Sequence, residues 1–189
     1  MPEIPEILDR RIIPAEEVAE RGLHIEELHL RFSNGAKRHY RRMQVKARQV
    51  VLIVPMLDDD TVLLIREYAA GLHNYQLQLP KGGVDAGEEL LSAANRELKE
   101  EVGKGARSLE HINCFTAIPG FNPQLTEIVL AQDLYDEKLE GDEPEEIEVV
   151  PWSLNNLMEL VEREDCTEAR SIAALYYVRD MMTRRRKGT

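Results

Sequence analysis

The sequence of 189 residues predicts an α/β fold with a mixed sheet, and three stretches carry that prediction. Two pairs of strand-like segments occupy residues 22–68, each pair joined by turn-forming residues. A helical segment follows at 88–102, rich in Leu, Ala, Arg, Lys and Glu and free of Gly and Pro. Further strands and then two helical segments, at 153–164 and 167–182, complete the chain. This order predicts one main domain in which helices pack on the sheet.

Composition limits the partners and the compartment that we expect. Apolar residues make up 43% of the chain and charged residues 31%, as in ordinary globular proteins. The net charge of −11 argues against nucleic acid or an anionic membrane as the main partner, because like charges repel. Cys114 and Cys166 are too few for a disulfide framework, and the N-terminus has no apolar signal segment. We therefore expect a cytoplasmic protein with two reduced thiols and with neither a nucleic-acid nor a membrane partner.

Residues 22–45 form the first predicted strand pair. Asn34-Gly35 joins the two strands and is a strong signal for a tight hairpin turn. The apolar alternation changes parity at Glu26-Glu27, which predicts a β-bulge there. One face of the hairpin is richer in Leu and Phe than a lone two-stranded ribbon can use. We therefore expect it to pack on a second copy in a symmetric homodimer.

The chain divides on this basis into three parts. Residues 1–45 form an N-terminal antiparallel β extension for dimerisation, and residues 46–183 form the main domain. The last residues, 184–189, read RRRKGT and are predicted to be a disordered basic tail. Near the end of the main domain, Ser153 is the predicted N-cap of one helix, and Thr167 begins the next.

The second predicted strand pair, 51–57 and 61–68, is much more apolar, which indicates buried strands. Its second strand ends in Arg66, Glu67 and Tyr68. Polar residues at the end of a strand often face a cleft, so these three are candidates for binding a substrate. The alternative is that they form only a solvated edge of the sheet.

The segment Gly82–Lys104 holds the densest group of candidate site residues. Glu97, Glu100 and Glu101 fall within an arc of about 100° on the predicted helix, at the rim of its apolar stripe. An all-oxygen cluster of carboxylates suits a hard divalent cation, above all Mg²⁺. Arg96 is placed to pair with a neighbouring carboxylate and to fix its orientation. The alternative is an acidic helix face that is merely solvated.

The same segment resembles the signature of the Nudix hydrolases. That signature is Gly, five residues, Glu, seven residues, Arg-Glu-apolar-x-Glu-Glu-x-Gly and then an apolar residue. The chain supplies, all in one frame, Gly82, Glu88, Arg96, Glu97, Leu98, Glu100, Glu101 and Gly103. Lys104 departs from it at a packing position where an apolar residue is usual. The resemblance implies the α/β/α sandwich of that family, with a mixed sheet and here with an N-terminal antiparallel β extension.

Further features resemble the ADP-ribose pyrophosphatase branch of the family. In that branch, a strand that ends like residues 66–68 helps to bind the nucleotide. Gln78, in the next strand, stands where Glu is common in the branch. Pro119 resembles a proline that marks the branch, at about the same distance beyond the signature. The resemblance therefore adds Pro119 to the candidates for substrate binding.

The acidic run Asp136–Glu148 supplies the remaining candidates. In the branch that the chain resembles, a loop at this point carries acidic residues that fold over the metal site, and Glu143 and Glu145 align best. Carboxylates that bind a metal are poor bases, because the cation lowers their pKa. We therefore expect a loop carboxylate to activate the attacking water, Glu143 before Glu145, with Glu100 as the alternative base. The alternative is that this acidic run is only a solvent-exposed turn without a role in catalysis.

A closer resemblance rests on six stretches: the LxFSNG hairpin, the IREYA strand, AANRELKEEVG, AQDLY, LEGDEPE and the EARxxxALxxVR helix. On these, the chain from about residue 32 to residue 182 looks like the ADP compounds hydrolases of bacteria, the NudE type. The resemblance implies hydrolysis of the pyrophosphate bond in ADP-ribose, diadenosine oligophosphates and NADH, with AMP released from ADP-ribose. It implies Mg²⁺, or alternatively Mn²⁺, on Glu97, Glu101, Glu100 and a main-chain oxygen near Lys81. Three other functions compete with this one: hydrolysis of other nucleoside diphosphate derivatives, non-catalytic sensing of ADP-ribose, and simple metal binding.

Overall fold

A computed structural model describes residues 23–45 and 49–188, together with the single residues 4 and 16. The strands are β1 (Leu23–Arg31), β2 (Lys37–Val45), β3 (Val50–Pro55), β4 (Thr61–Ala69), β5 (Asn74–Gln78), β6 (Lys81–Gly83), β7 (Lys104–Thr116), β8 (Leu125–Asp136) and β9 (Glu148–Ser153). The helices are α1 (Leu90–Glu101), α2 (Leu157–Val161) and α3 (Ala169–Lys187), and a 3₁₀ turn (Leu154–Asn156) precedes α2. Apart from residues 4 and 16, the predicted extension before residue 23 lies outside the described residues.

The strands of the main domain form two sheets. One has four strands in the order β6-β3-β8-β7, and the other has three in the order β5-β4-β9. Strands β3 and β8 are parallel, whereas their other pairings are antiparallel, so the larger sheet is mixed as predicted. The short strand β6, which carries the first glycines of the signature, lies at the edge of this sheet beside β3.

Strand β3 lies between two layers of the core, because its successive side chains point to opposite faces. Ile53 packs in a cluster with Leu98 of α1, whereas Leu52 packs in a separate cluster with Leu175 of α3. All four side chains are buried. Helices therefore cover both faces of the sheet, which confirms the predicted α/β/α sandwich.

Strands β1 and β2 form a separate two-stranded antiparallel ribbon. The turn between them contains Gly35 at φ +82°, a conformation that glycine adopts readily and that fits the predicted Asn-Gly turn. The predicted bulge at Glu26-Glu27 is wrong, since the register runs without a shift from Leu23 opposite Val45 to the turn. The parity of the apolar residues changes there, but the backbone pairing does not.

The C-terminal helices differ from prediction in their limits. Ser153 accepts a hydrogen bond from the Asn155 amide, as expected of a cap, but the turn that follows is 3₁₀ and the α-helix behind it is short. Helix α3 continues to Lys187 and ends at Gly188 in a left-handed conformation. Residues 184–187 are thus helical where the sequence predicted a disordered tail. Within the described residues, no helix is both long enough and apolar enough to span a membrane.

Candidate active site

Helix α1 places three carboxylates at one edge of the mixed sheet. Its buried side, which includes Ala94 and Leu98, packs against the strands, and Glu97, Glu100 and Glu101 follow along the border of that side. Glu101 is the most deeply placed, with 5% of its surface exposed. The helix packing therefore sets the depth of each carboxylate below the surface.

The signature glycines bring the backbone of β6 against these carboxylates. The Lys81 amide donates a hydrogen bond to Glu101 Oε2 at 3.0 Å. At Gly82, a Cβ atom would overlap the carboxylate of Glu97, so only glycine allows the strand to approach the helix this closely. A residue with a side chain at this position would displace Glu97.

Arg96 holds several acidic groups together from the other side. Its guanidinium donates to both oxygens of Glu88, at 3.1 and 3.2 Å, and to the Gly83 carbonyl at 3.0 Å. The same group donates to Glu97 Oε1 at 2.8 Å and to Glu100 Oε2 at 2.9 Å. The hydrogen bonds that Arg96 donates to Glu88 keep the pKa of Arg96 above its usual range. This network orients the carboxylates before any ligand arrives.

Burial raises the pKa of two of the three carboxylates. It raises the pKa of Glu101 to about 8, although the charge and the amide of Lys81 act in the opposite direction. Burial also raises the pKa of Glu97, with Arg96 opposing the shift. A charge in a poorly solvated position is costly unless an opposite charge compensates it. A cation bound nearby would therefore stabilise the ionised forms of Glu97 and Glu101.

The acidic loop 137–147 crosses the C-terminal end of α1. The Glu137 amide donates to the Gly103 carbonyl, and the Leu139 amide donates to the Lys99 carbonyl, at 3.2 Å each. Lys99 Nζ also pairs with Glu137 at 2.9 Å. The beginning of the loop is thus fixed to the helix that carries the carboxylates.

Farther along the loop, Glu143 and Glu145 have different surroundings. Tyr75 donates a short hydrogen bond from its hydroxyl to Glu145 Oε1, and this bond raises the pKa of Tyr75 to about 12. Glu143 is half-buried beside the helix carboxylates, and its charge is among the causes of the raised pKa of Glu97. Glu145 is therefore held by β5, while Glu143 faces the carboxylate cluster.

A cleft of about 480 Å³ lies between α1, β6 and the acidic loop. Among the described residues that line it, eight are acidic and two, Lys81 and Arg96, are basic. Both basic groups already have acidic partners, since Lys81 Nζ lies 2.8 Å from Glu67 Oε2 and Arg96 binds Glu88. The cleft therefore carries a large excess of negative charge.

The three candidates at the end of β4 have separate surroundings. Arg66 is buried, and it pairs with Glu148 at 2.8 Å and with Asp165 at 2.5 Å. Glu67 lines the cleft and accepts a hydrogen bond from Gln78, the residue that departs from the branch. Tyr68 shares a hydrogen bond of 2.6 Å with His73 and lines, with Arg66 and Glu67, a small pocket of about 120 Å³ beside the acidic loop.

The other two predicted site residues, Pro119 and Lys81, differ in whether they line the cleft. Pro119 is exposed in the loop between β7 and β8, and it is not among the described residues that line the cleft. Lys81 lines the cleft directly. Sequence reasoning missed Tyr75, which begins the buried run of β5 and so resembles an ordinary core position. It also missed Asp165, which lies in the connection between α2 and α3.

The donor set of the cleft fits a hard divalent cation. Glu97, Glu100 and Glu101 offer carboxylate oxygens, the ligands that Mg²⁺ and Mn²⁺ prefer, and none of the described residues that line the cleft is a histidine or a cysteine. The raised pKa of buried Glu101 shows that the protein itself does not fully compensate this charge. The residues present therefore fit a metal site.

The fold and the site together define a hydrolase of the Nudix class, in which a glutamate-rich helix lies at the edge of a mixed sheet. The model of the NUDIX domain matches residues 46–175. That of the NudE-type Nudix hydrolase N-terminal domain matches residues 5–42. The chain belongs to the Nudix family.

Named relatives agree with this assignment. ADP compounds hydrolase NudE of Escherichia coli (strain K12) is 46% identical over 172 residues, which cover 90% of this chain and 92% of that protein. ADP-ribose pyrophosphatase of Bacillus subtilis (strain 168) is 30% identical, with 82% and 83% covered. A crystal structure of an ADP compounds hydrolase superposes with a TM-score of 0.80 at 43% identity, over 97% of this chain and 96% of that one. The resemblance stated from the sequence is thereby confirmed.

Proposed function

We propose that this chain hydrolyses the pyrophosphate bond of ADP-linked compounds. The substrates in this proposal are ADP-ribose, diadenosine oligophosphates and NADH, and ADP-ribose would yield AMP. One observation carries the chemistry: a complete set of signature carboxylates lies in one cleft with a large excess of negative charge. The names of the relatives from E. coli and B. subtilis support the substrate class.

Glu97, Glu101 and Glu100 are the proposed ligands of Mg²⁺, with Mn²⁺ as the alternative ion and a main-chain oxygen near Lys81 as a further ligand. When bound there, the metal neutralises the diphosphate and polarises its phosphoryl oxygens. The protein contributes the placement of these oxygens, because Arg96 and the Lys81 amide fix the carboxylates beforehand.

Glu143 is the proposed base that takes a proton from the attacking water. It is half-buried at the cleft, beside the carboxylates that would bind the metal. Glu145 is the less suitable candidate, since Tyr75 occupies one of its oxygens. Glu100 is also less suitable, because its Oε2 already accepts a hydrogen bond from Arg96. The fixed start of the acidic loop keeps Glu143 near the substrate.

The pocket beside the acidic loop is the proposed position for the part of the nucleotide beyond the diphosphate. Tyr68 offers an aromatic face there, and Glu67 links this pocket to the cleft, since it lines both. Arg66 forms an ion pair with Glu148, and both residues line this pocket. Pro119 remains a proposed substrate contact, exposed in the loop between β7 and β8.

The chain should be incubated with Mg²⁺ and separately with ADP-ribose, diadenosine tetraphosphate, NADH, a deoxynucleoside triphosphate and capped RNA, and the products separated by chromatography. We expect AMP from ADP-ribose, and only when divalent metal is present. Hydrolysis in ¹⁸O-labelled water, followed by mass spectrometry, identifies the phosphorus that is attacked. Binding of ADP-ribose without turnover would indicate a sensor, and turnover of only the triphosphate or the RNA would replace the proposed substrate class.

We also propose a symmetric homodimer formed through the N-terminal ribbon. Its supporting observation is a set of large apolar side chains that are 41–57% exposed on the ribbon, namely Ile25, Leu30, Phe32 and Tyr40. Residues 1–45 would then serve dimerisation and residues 46–183 catalysis, in the cytoplasm, where both free cysteines stay reduced. Sedimentation that finds a monomer of 21.7 kDa at micromolar concentration would exclude the dimer.

A further inference from the structure

The N-terminal ribbon carries a second group of metal-ligating side chains, far along the chain from the signature. The register pairs His29 with His39, and Glu27 lies two residues before His29, so all three side chains are on one face. His29 Nε2 lies 3.0 Å from Glu27 Oε1, and His39 Nδ1 lies 3.9 Å from the same oxygen. The three ligand atoms lie within 4.8 Å of one another.

We propose that Glu27, His29 and His39 form a binding site for Zn²⁺ on the ribbon. Two imidazole nitrogens and one carboxylate oxygen are ligands that Zn²⁺ accepts, and water can complete a tetrahedral site. Mg²⁺ prefers oxygen ligands, so this site and the carboxylate cleft differ in the ion that they select. The inference does not depend on the proposed hydrolase activity.

The distances require only small side-chain movements. With bonds of about 2.0–2.2 Å, ligand atoms around a tetrahedral Zn²⁺ lie about 3.4 Å apart. One of the measured separations from Glu27 Oε1 is slightly shorter than this value and the other is slightly longer. The imidazole rings of His29 and His39 are stacked face to face, with centroids 3.8 Å apart and planes 16° from parallel. Rotation of these exposed side chains can therefore complete the site.

Arg41 fixes the orientation of the carboxylate. It lies opposite Glu27 in the register, and its Nε donates to Glu27 Oε2 at 3.0 Å. This contact leaves Oε1 directed toward the two histidines. Partners of this kind hold a ligating group in position, although the positive charge of Arg41 also opposes the cation. We therefore expect weaker binding than in a closed four-ligand zinc site.

The site stays accessible in the proposed dimer. The register places Leu30 and Tyr40 on the face of the ribbon opposite to His29 and His39. A second copy that covers Leu30 and Tyr40 would therefore leave the histidines in solvent, and only Ile25 of the proposed dimer residues on β1 lies on the histidine face, four residues before His29. Their side chains are 65% and 62% exposed, so a cation can reach them without opening the fold.

The test uses isothermal titration of the full chain with Zn²⁺, in a Glu97→Gln/Glu101→Gln background that removes the cleft ligands. We expect one Zn²⁺ per chain, lost in the His29→Ala/His39→Ala variant. Each single histidine variant should bind at least about 10-fold more weakly, since even outer partners of metal ligands are worth about 10- to 100-fold in affinity. His24→Ala is the matched control, because His24 is exposed on the opposite face of the same strand.

A second measurement reports the ligands directly. Cu²⁺ bound to the same background should show, in its electron paramagnetic resonance spectrum, coupling to two imidazole nitrogens, and His29→Ala/His39→Ala should abolish that coupling. Circular dichroism should show unchanged folding of the variants. Equal Zn²⁺ affinity in His29→Ala/His39→Ala and His24→Ala, or a Cu²⁺ spectrum without nitrogen coupling, would overturn the proposal.

Discussion

Replacing Glu101 by glutamine should stabilise the metal-free protein at alkaline pH while it abolishes most of the activity. Burial raises the pKa of Glu101 from 4.5 to about 8. A carboxyl whose pKa is higher in the folded state stabilises the fold below its unfolded pKa, and this contribution is lost as pH rises through the folded pKa. One pKa unit corresponds to about 1.4 kcal/mol, so the loss between pH 4.5 and pH 8 is at most about 5 kcal/mol. Glutamine keeps the shape of the side chain and carries no charge to destabilise the fold.

Urea unfolding in EDTA at pH 5 and at pH 8 measures this effect. The free energy of unfolding of the wild type should fall between the two pH values, whereas that of Glu101→Gln should fall much less. Glu89→Gln is the control, since Glu89 is exposed at the start of the same helix and its side chain makes no capping hydrogen bond. In saturating Mg²⁺, kcat of Glu101→Gln should be lower by about 10²–10³ or more, as for a lost preorganised electrostatic contact. An unchanged pH dependence, or near-normal hydrolysis, would refute the reasoning.

Three further predictions concern groups outside the metal site. Glu143→Gln should lower kcat by about 10²–10⁴ with little change in KM, as expected when a general base is removed. If steady-state kinetics show losses below threefold for both Glu143→Gln and Glu145→Gln, the base would instead be a helix carboxylate, Glu100. Tyr75→Phe should lower kcat by about 10-fold or more without changing Mg²⁺ affinity, since one hydrogen bond to a charged group is worth about 1.5–3 kcal/mol. An unaltered kcat would contradict the role of this contact in holding the loop. The pKa of Asp165 is lowered from 3.8 to about 2, chiefly by the hydrogen bond from Arg163, so the stability that it contributes is present above pH 3.8 and lost as pH falls through 2. In urea unfolding, the advantage of the wild type over Asp165→Asn should therefore shrink between pH 5 and pH 2.5, and a constant difference would be evidence against this assignment.

The signature helix could be predicted because its determinants are local. The sequence predicts a helix over 88–102, and the structure has one over Leu90–Glu101. Gly103 then adopts φ +73°, the left-handed conformation in which glycine commonly ends a helix. The relative positions of the carboxylates follow from helical geometry alone, so the sequence also indicates which of them lie beside the buried face.

The ribbon shows where a local pattern misleads. Both faces of β1 and β2 are largely exposed in the described chain, so the apolar alternation is not forced to match the pairing of the backbone. The parity change at Glu26-Glu27 therefore has no structural counterpart. Where both faces are buried, as in most of β3 and β4, a continuous apolar run replaces the alternation, and the sequence predicted that burial correctly.

The surroundings of the cleft could not be predicted, because they depend on contacts between distant parts of the chain. The partners of Arg66 lie 82 and 99 residues away from it, at Glu148 and Asp165. Tyr75 and Glu145 are 70 residues apart. A polar residue at the end of a strand indicates only that a partner is needed, and the sequence does not show which distant side chain supplies it.

The excess of negative charge in the cleft also couples the binding of metal to the binding of substrate. Its two basic side chains, Lys81 and Arg96, already pair with Glu67 and Glu88, so part of their charge is compensated before a diphosphate arrives. A diphosphate that enters alone meets eight acidic side chains, and like charges at these distances repel strongly where solvent is limited. Metal and substrate therefore each lower the electrostatic cost of binding the other, and this coupling must be reciprocal. A cation bound in the cleft would thus favour both the ionised form of buried Glu101 and the entry of a diphosphate.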